Sequence, residues 1–292
     1  MELLEESIRN KISSSVKDLP TLPGVAMRIL NATSNPDTTV DELKRIISSD
    51  QIVAGRILRA VNSAYYGFPR QIDTLSKAIV ILGFNNVRTL TLSVSMMEVF
   101  PRGVHDGFDF GQLWAHAVGT AHCARALARI TAPRIAEQLF VAGLLHDIGY
   151  IAMYKCFRDD LLKCVKTAIK EQRPFYEVEN DVFGFDHSDV GGFVAETWLL
   201  PAGLARSISK HHCPVKEVDN LEFVYGIHVA DILCKALGFG DYGDNAPFTM
   251  NMMFEPASNM YGIRDRELSK DLHKVLKDDL DEASGFLGLF ES

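Results

Sequence analysis

The chain has 292 residues, 47% hydrophobic and 23% charged, which is enough apolar content to bury a sizeable core in one large domain or two closely joined ones. Its formal charge of -8 argues against non-specific attraction to nucleic acid or to an anionic membrane, since both depend on basic patches. No apolar stretch approaches the roughly 20 residues of a membrane span, and MELLEESIRN has neither the basic nor the apolar part of a secretion signal, so the chain is expected in the cytoplasm and off the membrane.

The elements in chain order are almost all helical. Thr39-Val40-Asp41-Glu42 reads as a capping box that opens a short helix. Asp50 then caps a second, with Ile52, Val53, Ile57, Leu58 and Val61 at helical spacing. TLSKAIVILG stops at Gly83, and NNVRTLTLSVSMMEVF follows and halts at Pro101. The glycine-rich stretch PRGVHDGFDFG, residues 101 to 111, is a seam between two helical lobes. Beyond it the spacing predicts helices over DFGQLWAHAVGTAHCARALARI, PRIAEQLFVAGLLHDIGYIAMYKC, RDDLLKCVKTAIKEQR, PFYEVENDVF, DHSDVGGFVAETWLL with Asp186 as cap, LPAGLARSISKHH and, after the loop CPVKEVDN, LEFVYGIHVADILCKALG. The fold class is therefore all-α, a two-lobed helical bundle. The residues from about 251 to 292 read as a polar loop and a short amphipathic helix, an appendage. Five cysteines, none in a CxxC, suggest reduced and mostly buried thiols rather than disulfides or a zinc knuckle.

His116, His146, His187, His211 and His212 all fall on or at the end of second-lobe helices, as do Asp147 and Asp231. One histidine on an apolar face is ordinarily a satisfied core residue, and His211-His212 also fits a solvated helix end. Five such histidines and two aspartates in one bundle are the donor set of a first-row transition metal, and a buried carboxylate needs a cation or donors beside it. Side chains of consecutive residues on a helix diverge by about 100°, so His146 and Asp147 flank a volume suited to two ions, with Asp147 between them as a bridging carboxylate. His228, three residues before Asp231, either holds a ligand or water in place or packs in the core. His105, His122 and His273 have no comparable context.

His116, the doublet His146-Asp147 and the late Asp231 resemble the HD superfamily of metal-dependent phosphohydrolases, and His187, His211 and His212 are similar to the extra ligands of its binuclear branch, which includes the HD-GYP cyclic-di-GMP phosphodiesterases. The wider pattern LPTLPGVAMRIL, SSDQIVAGRILRAVNSAYYG, TLSKAIVILGFNNVRTL, LWAHAVGTA, GLLHDIG, FDHSDVGGFVAETWLLP and SKHHCP resembles the HDOD domain, the HD-related output domain of bacterial signalling proteins, over residues 18 to 215. The resemblance implies an N-terminal helical lobe over 18 to 100 packed on an HD-like metal-site lobe over 108 to 240. It also implies one or two transition metal ions held by the seven named residues. Iron is the first expectation, with manganese, zinc or nickel as alternatives, because imidazoles and carboxylates without thiolates suit them all. His228, Tyr150 and Lys210 are candidates for a supporting shell.

Two departures bear on activity. Catalytic HD-GYP relatives carry a lysine just after HDIG, where this chain has Tyr150, and the loop after His211-His212 lacks a GYP signature. Lys210, Arg206 or Lys155 would have to supply the missing charge, or they are solvated helix residues. Two readings follow. One is a non-catalytic regulatory module of signal transduction acting through protein partners. The other is a metal-dependent phosphohydrolase acting on a nucleotide or cyclic dinucleotide, in which Asp147 would work with a metal-bound hydroxide. A nucleotide or phosphate ligand is compatible with either. In the first lobe, AVNSAYYGFPRQIDTLSKAI is expected either at the junction of the lobes or in that lobe's own core, with Asn62, Gly67 and Pro69 fixing a turn and Tyr65, Tyr66 and Phe68 supplying contacts.

Overall fold

A computed structural model of the chain describes residues 6–15, 22–33, 38–63, 66–101, 103–105, 107–212, 221–244, 259, 261, 276–281, 283–285 and 287–288. Apart from one pair of two-residue strands the regular elements described are helices. They fall into two compact units, one of residues 1–20 and 101–280 and one of residues 21–100 and 281–292.

The smaller unit contains α2 (Gly24–Thr33), α3 (Val40–Ser48), α4 (Gln51–Val61), α5 (Leu75–Leu82) and α6 (Phe84–Met97). The other four pack around α6. Burying α6 on several sides would strand its hydroxyls, so Thr91, Ser93 and Ser95 each donate to the carbonyl four residues back, those of Val87, Thr89 and Thr91. The starts are capped by side chains. Asp50 accepts from Ile52 and Val53, and Thr74 accepts from Lys77. At α3 the Thr39 hydroxyl accepts from the Glu42 amide. The turn after α4 is closed by Asn62, whose amide donates to the Ile72 carbonyl and whose oxygen accepts from the Ile72 N–H, both at 2.7 Å. Within that turn Gly67 has φ +60° and the rings of Tyr66 and Phe68 stack 6.0 Å apart, while Tyr65 lies outside the described residues. Among the described residues no single helix is long and apolar enough to cross a membrane; α5 and α6 reach that composition only together, across a 119° bend.

The larger unit begins with α1 (Glu6–Ser15), which lies along α11 (His187–Thr197) and pairs Arg9 with Glu196. The seam at residues 101 to 111, expected to be a plain connection, forms an antiparallel pair of β1 (Val104–His105) and β2 (Phe108–Asp109). Its last residue, Asp109, caps α7 (Phe110–Thr131) by accepting from Gly111 and Gln112. A 3-10 turn at Pro133–Ile135 leads to α8 (Ala136–Leu145), and α9 (Ile148–Glu171), α10 (Phe175–Phe183), α11, α12 (Ala202–Lys210) and α13 (Leu221–Ala236) follow. α7 packs on α8 and α13, α9 on α10 and α11, and α12 on α8, α11 and α13, so the helices enclose a common interior.

One helix limit differs from the sequence expectation. The stretch over GLLHDIGYIAM was expected to be one helix, but α8 ends at Leu145 and α9 starts at Ile148, with Asp147 at φ -96°, ψ 13°. The two helices expected on either side of Phe157 are present as the two halves of α9, which meet at a kink where Phe157 takes the non-helical φ -135°, ψ 32°. The loop CPVKEVDN lies outside the described residues, as does most of the tail. Residues 276–281 are helical, with Leu276 and Leu280 buried, and Asp279 lies 3.8 Å from His122 and 3.6 Å from Arg125 on α7. His122, expected to be ordinary, therefore belongs to a charged cluster that ties the tail to α7.

Candidate metal centre

The break between α8 and α9 brings the His146-Asp147 doublet to a point. His146 Nε2 is 3.2 Å from Asp147 Oδ2, much nearer than neighbours on an unbroken helix would be. Tyr150 donates its backbone N–H to the Asp147 carbonyl at 3.0 Å, which closes the turn. Asp186 caps α11 in a full capping box with Asp189, and this sets His187 at the first helical position. His211 and His212 follow the end of α12, and the His228 Nδ1 on α13 donates to the His211 carbonyl at 2.6 Å, pinning that helix end. His116 and Asp231 come from α7 and α13.

All seven side chains meet, and each is between 0% and 7% exposed. The ligand atoms form two groups. In one, His116, His146 and Asp231 gather, with His116 Nε2 2.9 Å from Asp231 Oδ1. In the other, His187, His211 and His212 surround Asp147, with His187 Nε2 and His212 Nε2 2.7 Å apart. Asp147 faces both. Its Oδ1 lies 3.3 Å from His187 and 3.6 Å from His211, while its Oδ2 lies 3.2 Å from His146 and 3.8 Å from His116.

The donors fit metal ions by their hydrogen bonds as well as their type. The Nδ1 of His146 and of His211 lies 2.7 Å and 2.8 Å from the Gly143 and Ile208 carbonyls, and that of His187 lies 2.7 Å from Glu179 Oε2. With Nδ1–H so engaged, each Nε2 faces inwards and would offer a lone pair to a metal once any proton on it has left, the arrangement of a metal-bound imidazole. His146 Nε2 and His211 Nε2 are buried without a hydrogen-bond partner, while Asp231 Oδ1 has His116 at 2.9 Å and Lys235 at 3.2 Å. Such atoms carry a desolvation cost that a cation would offset. Burial alone would raise the Asp147 pKa, but His146, His187 and His211 hold it well below the usual carboxylate range. Burial alone would lower the His116 pKa, but Cys234 and Asp231 push it up to about 10. His187 is likewise raised against burial by Glu179 and Asp147. Protons on these rings balance the carboxylate charge that a bound cation would otherwise balance.

Around the donors lie Glu179, Lys235 and Tyr242, which the sequence reading passed over, and the supporting candidates that it named. Glu179, fully buried on α10, also accepts the His187 backbone N–H at 2.9 Å. It stands eight residues before its partner, across a turn, and no local pattern marks it. Lys235 lies 3.2 Å from Asp231 Oδ1 and 2.7 Å from Asp244 Oδ2. Its position four residues after Asp231 on one helix was a usable signal. Tyr242 points its hydroxyl at Asp147 Oδ2, 3.4 Å away. Tyr150 is fully buried, its ring stacked 4.0 Å from that of His187 and its hydroxyl without a partner. Lys210 is half-buried and its charge acts on Asp189; Arg206 is buried and Lys155 exposed.

The HDOD domain family model matches residues 19–214, about two thirds of the chain. The chain belongs to the HDOD domain family. Among proteins similar to it, an uncharacterized protein of Treponema pallidum (strain Nichols) is 26% identical over 202 residues, 69% of this chain but only 39% of that longer protein. Three solved structures share the fold of this HDOD protein. An HDOD domain protein of unknown function from Geobacter sulfurreducens has a TM-score of 0.81 at 24% identity, covering 96% of this chain and 97% of its own. A proposed signal transduction protein from Marinobacter aquaeolei VT8 has 0.79 at 16% identity, over 98% of this chain and 66% of its own. A proposed phosphohydrolase from Shewanella amazonensis SB2B has 0.72 at 21% identity, over 98% and 100%. The HDOD chain thus combines an all-helical fold with a buried histidine and aspartate cluster able to hold metal.

Proposed function

We propose that this HDOD protein is a regulatory output module of bacterial signal transduction, acting in the cytoplasm through protein partners, with a binuclear transition-metal site that organises its larger unit. The observation that carries the metal reading is the division of the Asp147 carboxylate, one oxygen towards His116 and His146 and the other towards His187 and His211. A carboxylate placed between two donor groups could bridge two ions, which supports a binuclear site over a single one. Iron is favoured, with manganese, zinc or nickel as alternatives, because no thiolate is among the donors. The four described cysteines are all free thiols, which suits a reducing compartment.

The non-catalytic reading is supported by where the positive charge lies. A phosphodiesterase stabilises the developing phosphoryl charge with fixed cations as well as metals. Here Tyr150, not a cation, follows the doublet, and its hydroxyl is buried against His187. Lys235, the cation beside the cluster, is engaged by Asp231 and Asp244. The rival reading, a metal-dependent phosphohydrolase acting on a nucleotide or cyclic dinucleotide, draws on the intact donor set and on the phosphohydrolase among the fold relatives.

Elemental analysis of protein purified without added chelator tests the metal. The expected result is transition metal on the chain, with Asp147→Asn emptying both donor groups and His212→Ala emptying one. Metal content near zero in gently prepared protein overturns the reading. Turnover of cyclic-di-GMP by the metal-loaded protein, abolished in Asp147→Ala, would establish the enzyme instead.

A further inference from the structure

The segment after α13, Gly238 to Asp244, lies against the donor cluster at Gly240 and Tyr242 and is anchored at Asp244. Asp244 accepts the Phe175 N–H at 3.2 Å through one oxygen and the Lys235 ammonium at 2.7 Å through the other. Gly240 has φ +71°, and a Cβ there would sit 2.1 Å from the His116 backbone nitrogen, so only glycine lets the strap lie on the helix that carries His116. Between these anchors is Tyr242, 5% exposed, its ring 5.1 Å from the His116 ring and its hydroxyl on the Oδ2 side of Asp147.

The Tyr242 oxygen is 3.4 Å from Asp147 Oδ2, longer than the roughly 2.5–3.0 Å of a good O–H···O hydrogen bond. Two donors on one ion behave differently. With metal–ligand bonds of about 2.0–2.2 Å, donors at right angles stand about 3 Å apart and donors at the tetrahedral angle about 3.4 Å. His146 Nε2, at 3.2 Å from the same oxygen, falls in that range.

Resting on the metal reading above, we infer that Tyr242 is an additional ligand, its phenolic oxygen joining His116, His146, Asp231 and Asp147 Oδ2 on one of the two ions. The phenol proton passes to solvent as the oxygen binds. The two ions then differ in kind. One has three imidazoles and a single carboxylate oxygen; the other has two imidazoles, two carboxylates and a phenolate, an oxygen-rich set suited to a harder ion. The strap thereby fastens the end of α13 to the cluster through a metal bond.

The test is the visible spectrum of the full chain loaded with iron and oxidised to the ferric state, alongside its iron content. A phenolate on ferric iron gives a charge-transfer band, whereas imidazoles and carboxylates alone do not. The expected result is such a band in the parent protein, lost in Tyr242→Phe while most iron stays bound, and retained in Tyr150→Phe. Gly240→Ala, whose Cβ would meet His116 and push the strap away from the cluster, should weaken the same band. Protein that binds iron but shows no band overturns the Tyr242 assignment and leaves the metal centre standing, as does a band lost in Tyr150→Phe and kept in Tyr242→Phe. Protein that takes up no iron, manganese or zinc overturns the metal reading and this inference with it. If Tyr242→Phe does not fold, the band of the parent and its retention in Tyr150→Phe decide.

Discussion

At the scale of single residues, Glu179 shows how much of the centre rests on side chains that touch no candidate ion. It accepts both the ring and the backbone N–H of His187, which fixes the tautomer that turns Nε2 inwards. Replacing such an outer partner costs roughly 10–100-fold in metal affinity in comparable sites. Glu179→Gln is therefore expected to weaken metal binding by about that range while leaving the helical content unchanged, as read by competitive titration with a chelator and by circular dichroism. Equal affinities in the two proteins would mean that packing alone orients His187. The protonation of the rings leads to a second expectation. His116 is pushed up to about 10 by Cys234 and Asp231 and is charged in the metal-free protein at neutral pH, and Glu179 and Asp147 shift His187 in the same direction. Metal uptake must displace those protons, so affinity should rise with pH and fall as the solution is acidified, and binding in weak buffer should release acid. A titration that shows no proton release would contradict the assignment of these rings as ligands.

Elements position the donors through close backbone approaches. Gly149, two residues after Asp147, meets the start of α11 so tightly that a Cβ would stand 1.8 Å from the His187 carbonyl oxygen. Gly149→Ala would force α9 and α11 apart, and overpacking of this kind costs about 1–3 kcal/mol. Because the same contact aligns Asp147 with His187, stability and metal affinity should fall together. Urea melts with and without metal separate the two losses, and a variant as stable and as tightly loaded as the parent would show that α11 can slide. Much of this level was legible from local pattern. Asp50 and Asp186 were read as caps and do cap, because a short polar side chain before an apolar run serves the first amides of the helix it opens. The helix break inside GLLHDIGY was not legible, since the apolar pattern resumes at Ile148 directly after the His146-Asp147 doublet and no proline marks the break.

For the whole molecule, the metal is expected to act as a linked ligand. A group that binds only the folded state stabilises it by about 2.7 kcal/mol at a free concentration 100 times its dissociation constant. Chelation should therefore lower the melting temperature, and hydrogen exchange should then rise across α7 to α13. Residues 60 to 80 of the smaller unit carry the test of regulation. Altered exchange there on metal removal would indicate that the centre communicates with that unit, and unchanged exchange would make it a local staple of the larger unit.

The sequence by itself determined the helical class, most helix starts and stops, and which histidines and aspartates deserved attention. Those features are local: a cap, a heptad-like spacing or a doublet such as His146-Asp147 can be read within a few residues, and the family resemblance gathers several of them in order. The place of Asp147 between two donor groups was expected from the sequence, and its two oxygens face them, but only the tertiary structure decided that Glu179 orients His187 and that Tyr242 returns to the cluster 95 positions after Asp147. Each depends on helices far apart in sequence packing around one interior. The physical reason is that a buried donor is selected by what it meets in space, and a glutamate or tyrosine on an ordinary helix or turn has the same local signal whether it meets solvent or a metal site.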